Sequence, residues 1–211
     1  MSQAYWEHEY DMYDSLAQRR YPHEPLIVAL HMLFASLEQD ALQYLEVLDV
    51  GCGNGRHLGL LHKMGCQYGL HGIDWSTEAC KLSKDACPDA EVIHGNCIHL
   101  PYSSESFDLV IDVMTMQHLV YDDYYVALKE VFRILKPGGH FYTYRFSEGT
   151  GYSNALLRDG SASLFSQKQL ERAFWEAKLG PIAWEIVRRQ AILPYLLTPA
   201  VYHSVTARKE K

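Results

Sequence analysis

The pattern of apolar and polar positions predicts strands that alternate with helices. Short apolar runs predict strands over residues 47–50, 68–73, 91–94, 107–113, 140–146, 182–189 and 201–207. Apolar residues at helical spacing predict helices over residues 26–37, 56–64, 77–84, 122–135 and 166–177. This alternation favours a doubly wound α/β domain with a mostly parallel sheet and helices on both faces. Because only a loop separates the last two strands, we expect them to form an antiparallel pair at one edge.

Two short motifs mark element boundaries within this pattern. Ser166 and Gln169 have the spacing of a capping box, which predicts that a helix begins after Ser166. The run 136–139, Lys-Pro-Gly-Gly, predicts a tight turn before the 140–146 strand. Proline presets φ at the second position of such a turn, and glycine supplies a positive φ at the third.

The first 25 residues stand apart from the alternation. They are rich in aromatic and charged side chains and contain two prolines, Pro22 and Pro25. Their aromatic content predicts a helix or an ordered arm that lies on the domain, because disordered tails are poor in aromatic residues. The next segment is predicted to be an amphipathic helix, whose apolar stripe consists of Leu26, Leu30, Leu33 and Leu37.

The composition argues against several classes of protein. Hydrophobic residues make up 48% of the 211 positions, which is enough for a sizeable core. The net charge of −7 disfavours a polyanionic partner held mainly by charge, so no nucleic acid partner is expected. Five cysteines without a C-x-x-C pair predict neither a disulfide framework nor a metal site. Without a signal-peptide pattern or an apolar run of ~20 residues, we expect a cytoplasmic protein that does not enter a membrane.

The sharpest motif is a glycine loop after the first predicted strand. Gly51, Gly53 and Gly55 lie at alternate positions between this strand and the next helix. Glycines let the backbone turn tightly and approach a ligand, and at the carboxyl end of a strand in an open α/β sheet that ligand is a nucleotide-like cofactor. Asp49 precedes the loop, where a carboxylate suits a cation or an ammonium group. Asp74 closes the second strand, where a carboxylate suits the two hydroxyls of a ribose.

These elements resemble the class I S-adenosylmethionine-dependent methyltransferases. The resemblance rests on four segments in the family's order: VLDVGCGNG at 47–55, HGIDWS at 71–76, GNCIHLPYSSESFDLVIDVMTMQHL at 95–119 and VFRILKPGGHF at 131–141. It implies a Rossmann-like seven-stranded sheet whose last strand is inserted antiparallel. Together with the length of the chain, it predicts one domain over residues 1–211. Within it we expect an arm or lid at 1–25, a helix at 26–43 and a core at 44–207.

The resemblance also assigns residues that hold the methionine and ribose parts of the cofactor. Asp49, Gly51, Gly53 and Gly55 match the loop that holds the methionine moiety with its ammonium group. Asp74 matches the residue that holds the ribose. The implied cofactor is S-adenosyl-L-methionine, and the implied product is S-adenosyl-L-homocysteine.

Further positions match the adenine side of the family's site. Trp75 is a candidate to pack on the adenine face, and the competing interpretation is an apolar residue at a helix entrance. Asn96 and Cys97 match the pair at the adenine edge. Asn96 departs from the family's usual aspartate, although its amide oxygen still accepts from the adenine amino group. Asp112 and Val113 match the strand-four segment that lines the cofactor.

His118 is the candidate catalytic residue. Methyl transfer from a sulfonium is an in-line displacement that requires alignment and exclusion of water, and a general base only when the acceptor arrives protonated. His118 matches a position that faces the acceptor, and the competing interpretation is a histidine that packs under its loop. Because no protein nucleophile is required, Cys52 and Cys97 are interpreted as small buried hydrophobes.

The predicted acceptor is a small or medium-sized molecule with an oxygen or nitrogen nucleophile. Base-methylating branches of the family carry Asn-Pro-Pro-aromatic after strand four, whereas residues 112–115 here are Asp-Val-Met-Thr. A monomer or a homodimer is expected. A pocket for a polar, anionic or sugar-like acceptor would draw on Tyr142, Tyr144, Arg145, Tyr152 and Tyr202.

Two other functions compete with methyl transfer. An NAD-type oxidoreductase shares the strand, the glycine loop and Asp74, but it predicts the spacing G-x-G-x-x-G, which this loop lacks. A protein with the methyltransferase fold that binds the cofactor but acts as a regulatory or scaffold partner stays open on the sequence alone.

Residues 1–25 are a candidate lid over the cofactor pocket. In this hypothesis a tyrosine or tryptophan shields the sulfonium from water, and Arg20 or Arg19 meets the cofactor carboxylate or an anionic acceptor. The alternative is an arm that packs on the sheet or on a second subunit.

Overall fold

A seven-stranded sheet forms the centre of the molecule. The structure is a computed structural model, and it describes residues 3–12, 22–147, 163–193 and 196–209. The strands, in chain order, are β1 Val47–Val50, β2 Leu70–Asp74, β3 Glu91–His94, β4 Phe107–Val113, β5 Leu135–Phe146, β6 Leu179–Leu193 and β7 Leu196–Lys209. Their order in the sheet is β3-β2-β1-β4-β5-β7-β6.

The strand directions confirm the predicted architecture. The first five strands pair in parallel, with β1 between β2 and β4. β7 lies antiparallel between β5 and β6, so the last strand is inserted into the sheet as expected. β6 and β7 are both longer than the predicted strands at 182–189 and 201–207, because they pair along nearly their whole length.

Helices cover both faces of the sheet. They are α1 Gln3–Met12, α2 Glu24–Phe34, α3 Gln39–Leu42, α4 Arg56–Lys63, α5 Thr77–Ala86, α6 Tyr121–Ile134 and α7 Gln167–Glu176. A 3₁₀ turn, Met116–His118, follows β4. The capping box at Ser166 is confirmed, since its hydroxyl accepts from the Gln169 amide and the Gln169 side chain accepts from the Ser166 amide. The division into arm, helix and core stays a prediction.

The predicted helix 26–37 is corrected at its carboxyl end. α2 ends at Phe34, and Leu37 lies beyond it with 39% of its surface exposed. Leu26 and Leu30 are fully buried, but the stripe is completed by Phe34. The helical spacing therefore identified the buried face of α2 and overestimated its length.

Successive residues of each strand face opposite layers of helices. Leu48 and Val50 belong to the core beneath α6 and α7, whereas Val47 belongs to the core beneath α2 and α4. This period of two is what a sheet covered on both faces requires. As a result, Asp49 faces the α4 side and Asp112 faces the α6 side.

The predicted turn at 136–139 is corrected to an irregularity within β5. Leu135 already pairs with Phe107 of β4, and pairing resumes when His140 meets Leu109. Residues 136–139 therefore bulge out between two paired stretches of β5 instead of preceding the strand. Gly138 has the expected positive φ of 84°, and its carbonyl accepts from the Arg208 side chain of β7.

In the part of the chain that the structure describes, no helix is long and apolar enough to cross a membrane. Within the same residues, no group of three or more His, Cys, Asp or Glu side chains could hold a metal ion.

Candidate cofactor site

The glycine loop makes a tight turn between β1 and α4. Gly51, Gly53 and Gly55 all have positive φ, at 72°, 55° and 75°. The amides of Gly51 and Cys52 both donate to the carbonyl of Ile73 at the end of β2. The loop is thus held between β1 and β2, at the carboxyl ends of the strands where cofactors bind in such sheets.

Neighbouring groups approach all three glycines too closely for a side chain, and a Cβ at Gly55 would lie 2.8 Å from the Ser83 backbone of α5. A Cβ at Gly51 would collide with the side chain of Thr115, which follows β4. A Cβ at Gly53 would lie 2.7 Å from the Tyr10 hydroxyl of α1. The loop therefore meets α1 on one side and the β4 loop on the other.

Asp74 holds the glycine loop against the start of α5. One carboxylate oxygen accepts from the Gly53 amide and the other from the Ser76 amide, both at 2.9 Å. Burial raises the pKa of Asp74, while these hydrogen bonds lower it, and the pKa ends above its usual value. The Trp75 backbone also stabilises the charged form of Asp74. A carboxylate has about four lone-pair sites, so Asp74 keeps acceptor capacity for the predicted ribose hydroxyls.

Asp49 is a fully buried carboxylate without a hydrogen-bond partner among the described residues. Nδ1 of His57 lies 3.5 Å from it, beyond a good hydrogen-bond distance. The other ring nitrogen of His57 accepts from Arg56 Nε, which assigns the ring proton of a neutral imidazole to Nδ1. The Nδ1–H of His57 is thus the nearest donor, and at 3.5 Å it compensates the buried carboxylate only weakly. Such a carboxylate is costly, so Asp49 indicates a ligand that brings a positive charge or several donors.

Asp112 is fully buried at the end of β4, and its carboxylate is used by the protein. It accepts from the amides of Thr115 and Met116 and from the Thr143 hydroxyl. Burial raises its pKa against these bonds. Asp112 therefore shapes the loop that touches Gly51, and any direct contact of Asp112 or of the buried Val113 with a cofactor stays a prediction.

The residues predicted on the adenine side lie beside Asp74. The Gly95 amide donates to the Asp74 carbonyl, and the His94 ring makes a hydrogen bond with the Trp75 carbonyl. This brings Asn96 close to the end of β2. Trp75 is 38% exposed, so its ring surface remains available.

Two of these side chains differ in what they leave for a ligand. The amide oxygen of Asn96 accepts from the Ile98 amide at 3.1 Å, so part of its acceptor capacity is already used. Burial, followed by the nearby Asp112 carboxylate, raises the pKa of Cys97 to about 12. Cys52 is buried and its pKa is also raised well above the usual value by burial. Both thiols are therefore protonated at neutral pH, which agrees with their interpretation as unreactive groups.

Helix α1 lies across this site through its Glu7 side chain. The Glu7 carboxylate accepts from the hydroxyls of Ser76 and Thr77 and from the amides of Thr77 and Glu78, at 2.7–3.1 Å. Partial burial raises the pKa of Glu7, but these hydrogen bonds outweigh it and lower the pKa to about 2. The carboxylate thus sits at the positive end of α5, directly after Asp74.

Other α1 side chains contact the glycine loop, the end of β3 and the 3₁₀ turn after β4. The side-chain nitrogen of Gln3 lies 3.0 Å from Nε2 of His94, the same ring nitrogen that contacts the Trp75 carbonyl. Trp6 packs edge-on against the His118 ring, with centroids 4.8 Å apart. Together with Tyr10 over Gly53, these contacts place α1 against the predicted cofactor site and against the predicted base.

The predicted acceptor residues have varied surroundings. Tyr142 is fully buried and its hydroxyl bonds with Ser204, while Tyr144 stacks on Tyr202. Arg145 is fully buried, with its guanidinium between two aromatic rings. Arg19, Arg20 and Tyr152 lie outside the described residues.

Sequence reasoning did not single out Glu7 or Thr115. Glu7 meets residues about 70 positions away, and no short motif links an acid in α1 to the start of α5. Thr115 was part of the recognised segment, but only the structure shows that its side chain restricts position 51 to glycine.

The geometry fits the group that the sequence predicts. The glycine loop lies between the two carboxylates, Asp49 has no hydrogen bond from the described residues, and Asp74 keeps acceptor capacity. Residues 48–143 match the family model described as a methyltransferase domain. Over these residues the chain is similar to a methyltransferase domain. The matched residues include the glycine loop, Asp74 and all of β4, which are the parts that build the site.

Curated relatives match the same type of segment. The chain is 36% identical over 99 residues to a demethylmenaquinone methyltransferase of Staphylococcus aureus, across 45% of this chain and 40% of that protein. A demethylmenaquinone methyltransferase of Oceanobacillus iheyensis is 33% identical over 116 residues, across 51% of this chain and 48% of that protein. The similarity therefore spans less than half of these relatives.

Solved structures share the whole fold at low identity. A SAM-dependent methyltransferase from Methanosarcina mazei has a TM-score of 0.68 at 21% identity, over 85% of this chain and 97% of that one. The [4+2]-cyclase SpnF has a TM-score of 0.67 at 19% identity, over 82% of this chain and 80% of that one. Because this fold also occurs in a cyclase, the fold does not define the reaction.

Gly53→Ala is expected to displace α1 from the glycine loop. The new Cβ would lie 2.7 Å from the Tyr10 hydroxyl, and the φ of 55° is strained for alanine. Limited proteolysis should therefore cut α1 faster in this variant than in the wild type. Adding Tyr10→Phe should restore part of the protection, because it removes the clashing hydroxyl.

Gly59→Ala is the matched control, since nothing lies within 4 Å of its Cβ and alanine favours the helix α4. It should leave the cleavage rate of α1 unchanged. Wild-type protection of α1 in Gly53→Ala would show that Tyr10 does not sit over the loop.

Proposed function

We propose that this protein is an S-adenosylmethionine-dependent methyltransferase that acts on a small or medium-sized acceptor. The observation that carries the proposal is the pair of carboxylates at the ends of β1 and β2. Asp49 is buried without a donor, and Asp74 keeps free acceptor sites beside the glycine loop. This combination suits a ligand with an ammonium group at one end and a ribose at the other.

The residues of the chain bind and orient the donor. Asp49 would accept from the methionine ammonium, and Asp74 would accept from the ribose hydroxyls while it holds the loop. When bound, the cofactor supplies a methyl group on a sulfonium, which departs as a neutral thioether and needs no protein nucleophile. This agrees with the absence of any role for Cys52 and Cys97, whose thiols are protonated.

Helix α1 would exclude water from the reaction. Tyr10 lies over the glycine loop and Trp6 lies against His118, so these rings are placed to cover the space between donor and acceptor. Exclusion of water strengthens electrostatic contacts in a site and prevents hydrolysis. This is the lid hypothesis, with Glu7 as the contact that fastens it.

His118 would accept a proton from the acceptor when the acceptor arrives as a hydroxyl or an amine. It lies on the 3₁₀ turn after β4, with its ring half-buried against Trp6. A base in this position lies at the carboxyl end of the parallel strands, in the loop that follows β4. Relatives named for demethylmenaquinone support a small-molecule acceptor, although the aligned segment is the part that contains the cofactor site.

Substitution of the two carboxylates should separate their roles. Asp49→Asn should lower the affinity for S-adenosylhomocysteine roughly tenfold or more, because a charge-assisted hydrogen bond contributes about 1.5–3 kcal/mol. It should not change the affinity for 5′-methylthioadenosine, which keeps the adenosine and lacks the amino acid. Asp74→Asn should lower the affinity for both ligands. Isothermal titration measures all four affinities.

Asp108→Asn is the control for these variants, because Asp108 lies at the opposite end of β4 and pairs with Lys136. It should bind both ligands as the wild type does. Equal affinity of Asp49→Asn and wild type for S-adenosylhomocysteine would remove the ammonium assignment, and wild-type binding by Asp74→Asn would remove the ribose assignment.

Glu7→Gln should speed the release of S-adenosylhomocysteine. The glutamine side chain has no negative charge at the start of α5. Its NH2 group is also a donor, and it would replace an oxygen that accepts from the donors at the start of α5. Because the site is partly exposed and screened, we expect a change of roughly fivefold in the dissociation rate. The lowered pKa of Glu7 means that its contribution is complete above the ordinary carboxyl range and is lost only as pH falls toward about 2. Release should therefore not depend on Glu7 protonation at neutral pH.

Stopped-flow fluorescence measures this release, and Glu38→Gln is the control. Glu38 precedes α3 and caps it with no side-chain hydrogen bond, so its substitution should leave release unchanged. A Glu7→Gln variant that releases product at the wild-type rate would favour the alternative, in which α1 is only a packing arm.

A further inference from the structure

Arg145 is a buried positive charge with unused hydrogen-bond donors. It lies one residue before the end of β5, and none of its surface is exposed. Nη2 donates to the Ser163 carbonyl at 2.7 Å. Among the described residues, neither Nε nor Nη1 has a hydrogen-bond partner. Since a guanidinium cannot lose its proton in a protein, this arrangement leaves a permanent charge with buried, unsatisfied donors.

Two aromatic rings hold the guanidinium in place. Its central carbon lies 4.7 Å from the ring centre of Tyr124 on α6 and 4.3 Å from that of Phe165. Ring faces attract the cation, but they do not accept all of its N–H groups. The packing thus fixes the orientation of Arg145 and leaves its N–H donors available.

Asp112, the carboxylate that interacts with Arg145, does not accept hydrogen bonds from it. Asp112 interacts electrostatically with Arg145. However, its oxygens accept from Thr115, Met116 and Thr143. His203 adds no second charge, because burial and then Arg145 lower its pKa to about 4. The Tyr124 hydroxyl also interacts with Arg145, but among the described residues no side chain accepts from Nε or Nη1 in good hydrogen-bond geometry.

Arg145 is connected to the element that carries the predicted base. The Gln117 side chain accepts from the Phe146 amide, next to Arg145, and the Gln117 carbonyl accepts from the Ser163 amide. Gln117 is followed directly by His118 in the 3₁₀ turn. Arg145, Ser163 and the turn thus form one hydrogen-bonded unit at the carboxyl end of the sheet, where ligands bind in open α/β folds.

We propose that Arg145 binds a carboxylate group of the methyl acceptor. A carboxylate binds an edge of the guanidinium that pairs Nη2 with either Nε or Nη1, so it would compete with the Ser163 carbonyl for Nη2 and use one of the two nitrogens that lack a partner. The proposal rests on the proposed function, because it places the acceptor beside His118. Ser163 and Phe165 cover Arg145 in this structure, so we expect this segment to move when the acceptor enters.

The proposal predicts that Arg145 is retained at a cost to stability. Arg145→Met should have a melting temperature equal to or above that of the wild type, because it removes unsatisfied buried donors and keeps the aromatic packing. Arg133→Met is the control, since Arg133 is fully paired with Glu130 and with the Leu100 and Tyr102 carbonyls. That variant should have a lower melting temperature.

Comparing acetate with acetamide tests whether the site prefers a carboxylate to its neutral amide analogue. The protein is saturated with S-adenosylhomocysteine, and chloride is added to the acetamide samples to match the ionic strength. In the wild type and Arg133→Met, acetate at tenfold its Kd should raise the melting temperature by roughly 3 °C more than acetamide does. Arg145→Met should lose this difference, and Arg145→Lys, which keeps the charge without the planar fork, should retain a reduced one.

Three outcomes would overturn the proposal. The first is a marked loss of stability in Arg145→Met, which indicates a structural role. The second is an equal response of the wild type to acetate and acetamide. The third is weaker S-adenosylhomocysteine binding by Arg145→Met with unchanged 5′-methylthioadenosine binding, which would assign Arg145 to the cofactor carboxylate. Failure of the cofactor assignment itself would instead appear in the Asp49 and Asp74 variants.

Discussion

The Asp74 carboxylate is the contact on which the arrangement of the site depends. It accepts from the Gly53 amide of the loop after β1 and from the Ser76 amide at the start of α5. These bonds fix the glycine loop relative to the helix that follows β2. They also set the position of the α5 amino terminus, where Glu7 of α1 binds. One carboxylate therefore orders the loop, the helix and indirectly the covering helix α1.

Three buried aspartates at the carboxyl ends of strands differ in how far the protein satisfies them. Asp112 on β4 receives three hydrogen bonds, Asp74 on β2 receives two, and Asp49 on β1 receives none from the described residues. A fully satisfied buried acid supports structure, whereas an unsatisfied one requires a ligand to offset its desolvation. The series thus distinguishes the residue that shapes the site from those expected to hold the cofactor. On the same face of the sheet as Asp112, Arg145 has unsatisfied donors, so it resembles Asp49 with the opposite charge.

The sequence predicted the sheet and the cofactor loop because both depend on local patterns. β1, β3 and β4 begin and end where their apolar runs do, and the glycines of the loop have the positive φ that their spacing suggested. Leu37 was assigned to α2 because it continued the helical spacing, yet the helix ends at Phe34. The bend at 136–139 was predicted from its own residues, whereas the start of β5 at Leu135 was not, because it depends on pairing with Phe107 of β4. Glu7, Thr115 and the burial of Arg145 could not be predicted, since each depends on contacts between residues far apart in sequence.

A crystal structure of the protein with S-adenosylhomocysteine would test the central claim most directly. We expect the ammonium nitrogen within hydrogen-bond distance of Asp49, and the ribose hydroxyls on Asp74 with its bonds to Gly53 and Ser76 retained. We also expect α1 to lie over the ligand through Glu7 and Tyr10. A complex in which the ligand lies away from the glycine loop, or in which Asp49 still lacks a donor, would contradict the account.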